Sequence, residues 1–413
     1  MTDPIAEWFS SLLPRVRRAL QDTMRSPKAV IAGLLVVGGV VALALTPQDT
    51  ADTNRNTRLV ASMDQLTGTT MVAALDTPLD PEKNTIWCAS APVAWKLLKE
   101  TVGGNIEIED APLWAEALNR STVSATDIDP AALVTGVGLI GDGVVEATQS
   151  RVKETFGNGR DPWLDEFVRP LSSDVWIVYG YLAKRLEFPE PFDPLPGGIY
   201  IYSPDDEDAA AEESDADDAI VDDRFFAQAF GLRIFDAENP RHRRIAKHVR
   251  VHGYESPENF VVVLECKGAK GDVILARGTP ERTFQATLGS ALAKLALAPE
   301  RLTQDDCLSI PVFDFHVSHS FPEIVGKRML NAKFKAAPIV RMMQSVLFRL
   351  NENGADLRSR MGVAVKSAER RVPKMLILAP PFLILLKQPC TDTPFFAMWV
   401  ANREVLVRLP ESH

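Results

Sequence analysis

Three glycines stand at the spacing that dinucleotide-binding proteins use to hold a pyrophosphate. Gly136, Gly138 and Gly141 match the pattern G-x-G-x-x-G, in which the glycines let the backbone approach the phosphates. That use requires a strand before the first glycine and a helix after the last. Residues 130–135 do not form a convincing strand pattern, so we expect a turn between two helices here. An enzyme that binds a nucleotide at these glycines is therefore the weakest of three hypotheses, and we predict no catalytic residue and no cofactor.

Histidine and cysteine residues are the usual metal ligands, but their spacing here does not predict a metal site. His248 and His252 are four residues apart, and His242 precedes them, yet no H-E-x-x-H pattern and no further ligand accompany them. The four cysteines lie far apart without a C-x-x-C pair, at positions Cys88, Cys266, Cys307 and Cys390. The sequence also lacks the G-x-S-x-G motif of serine hydrolases. We predict that the protein is not an enzyme.

The stretch around these histidines is basic, and an acidic segment precedes it. Its five basic side chains are Arg241, Arg243, Arg244, Lys247 and Arg250. Residues 205–223 hold eleven acidic residues, and without them 45 basic residues face 44 acidic ones. We interpret this segment as a disordered surface insertion and favour it as the partner of the basic patch. The neutral balance elsewhere, with 8% aromatic residues, argues against a nucleic-acid binder.

Residues 29–45 are seventeen uncharged, almost wholly apolar residues, which is near the shortest length that crosses a bilayer. Basic residues precede them and the following residues are polar and acidic, so the positive-inside rule places the N-terminus in the cytoplasm. We predict a cytoplasmic basic amphipathic segment (1–28), a transmembrane helix (29–46), a tether and entry segment (47–83) and a domain outside the cytoplasm (84–413). A cleaved signal peptide is the alternative, because residues 42–44 resemble a cleavage site. Gly38 and Ala42 suggest at most a weak homodimer.

From residue 84 the chain shows both helical and strand patterns, and its 46% hydrophobic content suffices for a large core. Apolar residues recur at helical spacing in 91–101, 284–297 and 321–330. Short apolar or β-branched runs predict strands at 175–179, 199–202, 260–264, 273–276, 307–317, 346–350, 382–386 and 395–400. Helices dominate the first half and strands the second. The pattern predicts an α+β fold built on large antiparallel or mixed sheets.

Five motifs in a fixed order carry a resemblance to one known family. They are Asn84-Thr-Ile-Trp-Cys-Ala-Ser, Val175-Trp-Ile-Val-Tyr, Leu264-Glu-Cys-Lys-Gly, Leu308-Ser-Ile-Pro-Val-Phe, and Val346-Leu-Phe-Arg-Leu-Asn-Glu-Asn-Gly with its partner Pro381-Phe-Leu-Ile-Leu. Together they resemble a divergent member of the serpin superfamily, from Asn84 to the C-terminus. The sequence departs from the family near Tyr179 and Gly180, where an asparagine is usual, and at Phe188, where a tryptophan is usual.

The resemblance implies an exposed loop, here residues 355–380, whose first part can enter a sheet as a new strand after cleavage. The hinge residues would be Glu352, Gly354, Ala355, Leu357 and Ser359. From residue 355 apolar or small side chains alternate with mostly charged ones, as a half-buried strand requires. The bulk of Leu357 and the charged residues predict slow entry. We therefore favour a non-inhibitory, membrane-tethered interaction domain, with a membrane-anchored serine protease inhibitor as the alternative.

The position of the cleaved bond would decide which protease such an inhibitor meets. Counting from the hinge as in serpins places this bond near Ala368 and Glu369, with Arg370 and Arg371 following and Lys366 preceding. Basic side chains at these positions suit a trypsin-like protease. The predicted partners are therefore the membrane, through residues 29–45, and either a trypsin-like serine protease or another surface protein.

Overall fold

Strands are the main elements in the part of the chain that the structure describes. The computed structural model describes residues 59–157, 159–202, 225–269, 271–334, 337–352, 373–388, 391 and 393–410. All of these belong to one unit, Thr57–His413. Among the described residues, no helix has both the length and the apolar character needed to cross a membrane. The predicted segments at 1–28 and 29–46 and the acidic insertion at 205–223 lie outside the described residues.

The largest sheet has seven strands. Their order is β2 (Thr69–Met71), β3 (Asn84–Cys88), β16 (Pro394–Val400), β15 (Phe382–Lys387), β10 (Asp272–Arg277), β9 (Asn259–Glu265) and β8 (Val249–Ser256). All neighbours are antiparallel except β2 and β3. The strands are almost continuously apolar because both faces of this sheet are buried.

Three smaller sheets surround it. A four-stranded sheet has the order β14 (Met375–Ile377), β11 (Cys307–Pro311), β7 (Phe225–Leu232) and β6 (Asp193–Ile201). A three-stranded sheet has the order β1 (Leu59–Ser62), β12 (Phe313–Ser320) and β13 (Met343–Leu350). A two-stranded sheet joins β4 (Leu133–Leu139) to β5 (Trp176–Leu182). The predicted α+β class with large mixed and antiparallel sheets is confirmed, although strands also occur throughout the first half.

Six α-helices are described. They are α1 (Ser90–Val102), α2 (Pro112–Arg120), α3 (Val144–Phe156), α4 (Pro162–Val168), α5 (Pro240–Ala246) and α6 (Phe284–Lys294). α1 ends where Gly103 adopts a left-handed conformation, φ 76°. α4 begins at Asp161, whose carboxylate accepts hydrogen bonds from the backbone N–H groups of Trp163 and Leu164. Short 3-10 helices occupy 63–65, 125–127, 130–132, 140–142, 267–269, 332–334 and 403–405.

The main core contains buried residues of the seven-, four- and three-stranded sheets. The Phe348 ring of β13 stacks on Phe396 of β16 with centroids 4.7 Å apart, and Phe313 of β12 meets Phe382 of β15 edge-on at 6.3 Å. A second cluster packs α1 and α2 together, and a third packs α3 and α4 on the sheet of β4 and β5. The sheet of β4 and β5 therefore has its own small core.

Two predicted elements were wrong. Residues 321–330 form turns rather than a helix, because their backbone bonds to a neighbouring segment: Gly326 N–H donates to Ile339 O and Met329 N–H to Ala337 O. The predicted strand 307–317 is two strands, β11 and β12, that belong to different sheets. Pro311, which has no N–H to donate, ends the first of them.

The glycine motif is also placed differently from the prediction. Gly136 and Gly138 lie inside β4 and not in a turn between helices. A Cβ atom on Gly136 would stand 2.3 Å from Thr148 Oγ1 on α3, and one on Gly138 would stand 3.2 Å from Val144. These glycines therefore allow α3 to pack closely against the strand, and this packing explains the motif without a nucleotide.

Replacing Gly136 by alanine is expected to destabilise the protein by about 1–3 kcal/mol, because the added methyl group has no room against buried Thr148. Gly104→Ala is the matched control, since nothing lies within 4 Å of a Cβ atom there. Urea unfolding of the full chain measures both. A similar stability for both variants would contradict this account of the motif.

Candidate functional site

Every sheet has two edge strands, and two of these edge strands, β5 and β13, contact the same helix, α1. β5 pairs only with β4, and β13 pairs only with β12. Unpaired strand edges expose backbone N–H and C=O groups that can bind a further strand. The candidate site lies at these two edges.

β5 and β13 are also connected through segments next to them in the chain. The ring of Trp176, the first residue of β5, lies 6.0 Å from that of Phe334, and Lys333 Nζ lies 4.7 Å from the Trp176 ring centroid; both of these partners precede β13. Phe192, which precedes β6, donates its N–H to the carbonyl oxygen of Glu352, beyond the end of β13, at 3.0 Å. A segment that turned back after residue 352 would run antiparallel to β13.

The first turn of α1 lies beneath both edges. A Cβ atom on Gly180 of β5 would stand 3.0 Å from the carbonyl oxygen of Ser90. On the other side, Gln344 Nε2 of β13 donates to Ser90 Oγ at 3.0 Å and to Cys88 O at 3.3 Å. Gln344 Oε1 is buried and accepts no hydrogen bond from any described residue, which is uncommon for a buried polar atom. Small residues and one unsatisfied acceptor thus line the space between the strands.

Helix α4 spans the two edges from the opposite side. The start of this helix, at Asp161, is held by β5, because the Tyr179 hydroxyl donates to Asp161 Oδ2 at 2.6 Å. The last turn of this helix is held by Arg341, which precedes β13. Arg341 Nη1 donates to the carbonyl oxygens of Phe167 at 3.0 Å and Glu166 at 3.4 Å. Burial, together with the bond to Asp161, raises the pKa of Tyr179, so its hydroxyl remains a donor.

The three-stranded sheet has one apolar and one polar face. The buried side chains of β12 and β13 are Phe313, Phe315, Val317, Gln344, Val346, Phe348 and Leu350. Those on the opposite face are partly or fully exposed and mostly polar: Asp314, His316, Ser318, Ser345, Leu347 and Arg349. A strand added beside β13 would need the same alternation.

The structure describes one of the predicted hinge residues. Glu352 lies just beyond the end of β13, where its carbonyl accepts the Phe192 N–H. The other hinge residues, Gly354, Ala355, Leu357 and Ser359, lie outside the described residues. The same holds for the candidates at the cleaved bond: Lys366, Ala368, Glu369, Arg370 and Arg371. Their roles stay predictions.

The chain returns to the described fold through a buried ion pair. Lys374 Nζ lies 3.4 Å from Asp306 Oδ2 and 3.2 Å from Glu300 Oε2, and the Asp306 side chain is 1% exposed. Lys374 N–H donates to Asp306 Oδ1 at 2.7 Å, and its carbonyl accepts from Cys307 N at 2.9 Å. β14 then pairs in parallel with β11. This end of the segment 353–372 is therefore firmly anchored.

The predicted basic patch has other acidic partners close by. Arg241 bonds to Asp193, Arg244 Nε to Glu190 at 2.9 Å, and Arg250 to Glu265 at 2.8 Å and Asp272 at 3.3 Å. Arg243 lies on α5 and Lys247 follows its last residue. The predicted pairing with residues 205–223 stays a prediction, since that segment, which joins β6 to β7, lies outside the described residues.

The three histidines of this stretch point to different neighbours. His242 bonds to Asp193, His248 to Glu265, and His252 Nδ1 lies 3.0 Å from Leu297 O. In the part of the chain that the structure describes, no three His, Cys, Asp or Glu residues are grouped so as to hold a metal.

Arg341, Gln344 and Lys374 were missed by the sequence analysis, and Ser90 entered it only as the last residue of a family motif. Ser90, Arg341, Gln344 and Lys374 act through contacts with residues far away in the chain. A polar residue at an inward position of an apolar strand, as at Gln344, is the one signal that the sequence offered. The other three have ordinary local surroundings.

The cysteines of the described chain are expected to be unreactive in the folded protein. Cys88, Cys266 and Cys307 are free thiols, and burial raises the pKa of each, to about 12 for Cys266. The thiolate that reacts with iodoacetamide is therefore scarce at pH 8. Labelling followed by peptide mass spectrometry is expected to find these three modified only after unfolding in urea. Labelling of Cys266 in the folded chain at the rate of a free cysteine would contradict its burial.

Comparisons with known proteins bear on the whole fold. No family model matches the sequence, and no curated protein matches it. The chain is similar in structure to serpins. Native protease nexin-1 with heparin is 10% identical, with 78% of this chain and 93% of that chain covered and a TM-score of 0.45. A serpin from the trematode Schistosoma haematobium is 10% identical, covering 78% and 94% with a TM-score of 0.44. Serpin48 from the insect Tenebrio molitor is 11% identical, covering 76% and 95% with a TM-score of 0.35.

Proposed function

We propose that this chain is a membrane-tethered, serpin-like protease inhibitor whose segment 353–372 enters its own sheet between β5 and β13 after cleavage. The observation that carries the proposal is that two edge strands, β5 and β13, contact the same residue of α1, Ser90, and have no described partner at their outer edges. A single strand placed between them would pair with both edges and join the two-stranded and three-stranded sheets. The serpin-like fold supports the same mechanism.

The polar outer face of the sheet favours the inhibitor over the non-inhibitory domain. If Leu357 and Ser359 face α1, then Asp356, Arg358 and Arg360 face outward, beside partly exposed polar residues such as Ser345 and Arg349. Charges that stay in water carry little desolvation penalty. The inward side chains enter over Gly180 and Ser90, where the neighbouring side chains are small. The charged residues are thus less of an obstacle than the sequence alone predicts.

A trypsin-like protease fits the basic residues near the predicted cleavage site. The test incubates the full chain, purified in mild detergent, with trypsin and separates the products by denaturing electrophoresis. We expect a denaturant-resistant complex in the wild type and, in an Arg370→Ala, Arg371→Ala variant, a yield lower by about tenfold or more. Lys366→Ala tests the other candidate position.

Arg328→Ala serves as the control, because Arg328 is an exposed arginine with a side chain 63% accessible. Cleavage within 353–372 without any complex would instead support the non-inhibitory interaction domain. Retention of full complex formation in both loop variants would place the cleaved bond elsewhere.

We further propose that residues 29–45 hold the domain at the outer surface of a membrane. β1 begins at Leu59, so residues 47–58 form a linker of at most about 40 Å, which would keep the inhibitor close to the bilayer. Alkaline extraction of membranes from cells expressing the full chain is expected to leave it in the pellet. A released protein that begins near residue 45 would instead identify a cleaved signal peptide.

A further inference from the structure

A cavity of about 320 Å³ lies beneath α4, on the outer face of the three-stranded sheet. Trp163 and Phe167 of α4 form one wall, and residues 60–62 of β1 contribute to another. Ser318 of β12 and Arg341, which precedes β13, also line the cavity. This volume is at the small end of the range for ligand pockets, about 300–1,000 Å³. It suits a small molecule rather than a peptide.

The aromatic wall and the cation of this cavity are held in fixed positions. The rings of Trp163 and Phe167 stack with centroids 5.3 Å apart and an angle of 11°. The guanidinium of Arg341 lies 5.3 Å from the Phe167 ring centroid. Its Nη1 is bonded to α4 carbonyls and its Nε to the Met343 sulfur, while no hydrogen bond of Nη2 to a described residue is found. A planar guanidinium held in this way favours a carboxylate.

Apart from Val60, Ala61 and Met343, the remaining lining is polar and mostly uncharged. His316 Nε2 lies 2.8 Å from Ser345 Oγ, and the Ser318 hydroxyl also lines the cavity. Glu166 is the acidic residue of the lining; its side chain is exposed at the rim. These groups provide hydrogen bonds for a ligand whose charge is matched by Arg341.

We propose that this cavity binds a small aromatic carboxylate, with the ring against Trp163 and the carboxylate at Arg341. Such a ligand would contact α4 and β13 together. As Arg341 already ties α4 to the start of β13, the bound ligand strengthens that contact. A strand that enters beside β13 must pass beneath α4. If the proposed insertion operates, the ligand slows it, and this regulatory consequence alone rests on the proposed function.

The binding test uses 1-naphthoate as the probe and 1-naphthamide as its uncharged counterpart. Isothermal titration calorimetry of the full chain in mild detergent, with detergent alone as the blank, is expected to give a dissociation constant below about 1 mM for naphthoate. Loss of the charge-assisted bond is expected to weaken the amide by about tenfold or more. No detectable naphthoate binding, or equal binding of the amide, overturns the proposal.

Two variants locate the ligand. Arg341→Met is expected to weaken the binding of naphthoate by about tenfold or more and to leave the binding of the amide nearly unchanged. Arg328→Met, at an exposed arginine with a side chain 63% accessible, is expected to change the binding of neither probe. Ser318→Leu keeps Arg341 but places a larger side chain in the cavity, so it is expected to weaken the binding of both probes. Unchanged naphthoate binding in Arg341→Met contradicts the site. Melting curves show whether each variant is folded.

The regulatory consequence has a separate readout. The experiment cuts the chain within 353–372 and measures how fast it converts to a more heat-stable form, with and without saturating naphthoate. We expect a slower conversion when naphthoate is bound. Binding without any conversion would disprove the proposed function and leave the ligand site standing. Conversion at the same rate with naphthoate bound overturns the regulatory role.

Discussion

Cleavage of the full chain within residues 353–372 is expected to raise its melting temperature by about 10 °C or more. The freed segment can pair with β5 on one side and β13 on the other. Each new backbone hydrogen bond stabilises by about 0.5–1.5 kcal/mol net. In a large domain, about 1 kcal/mol shifts the melting temperature by roughly 2 °C. Differential scanning calorimetry of intact and cut protein measures the shift, and mass spectrometry locates the cut.

A cut in the acidic insertion is the matched control for this measurement. Residues 205–223 connect β6 and β7, which already pair with each other, so a cut there opens no route to a new strand. We expect an unchanged or lower melting temperature. If the chain cut at 353–372 melts no higher than the intact one, the segment does not insert, and the non-inhibitory interaction domain becomes the better hypothesis.

Two further variants test which face of the segment enters. Leu357→Lys would place a charge over the first turn of α1, where a buried charge without a partner is strongly unfavourable. It is expected to remove most of the rise. Arg358→Ala changes a residue expected to face water and should leave the rise intact. Equal effects of the two substitutions would contradict the alternation on which the strand prediction rests.

The sequence predicts the buried interior strands of this fold well and its short edge strands poorly. Runs such as 260–264 and 382–386 are continuously apolar, because both faces of the seven-stranded sheet are buried. Such a run predicts a strand even when the neighbouring strands are unknown. β1 and β2 have four and three residues, too few to show a period. The segment 321–330 has helical spacing, but hydrogen bonds to residues 337–342 decide its conformation.

The candidate site was predictable only where the loop itself carries the pattern. The alternation after Gly354 and the basic pair at Arg370 are properties of adjacent residues. The space between β5 and β13 depends instead on contacts such as Ser90 with Gln344 and Arg341 with Phe167. The latter pair is separated by 174 positions. Local composition contains no record of such contacts, so the edges, the helix that spans them and the cavity beneath it had to come from the structure.

The anchored end of the segment gives the second large effect. Replacing Lys374 by methionine is expected to lower the free energy of unfolding by about 3–5 kcal/mol, because it leaves the buried carboxylate of Asp306 without its cation. Asp306 would keep its hydrogen bonds from Lys374 N and from the backbone and hydroxyl of Thr303. Those bonds do not neutralise the charge. Urea unfolding of the full chain measures the change.

Lys327→Met is the matched control, since Lys327 pairs with Asp110 at 3.9 Å with side chains 37% and 78% exposed, and such surface pairs contribute about 0–1 kcal/mol. If Lys374→Met loses as little unfolding free energy as the control variant, the buried ion pair does not hold β14. A large loss has a further consequence. If Lys374 fixes the end at β14, only the end at residue 352 is free to move after a cut. Hydrogen exchange at Leu376 should then be fast in Lys374→Met and slow in both the intact and the cut wild-type chain.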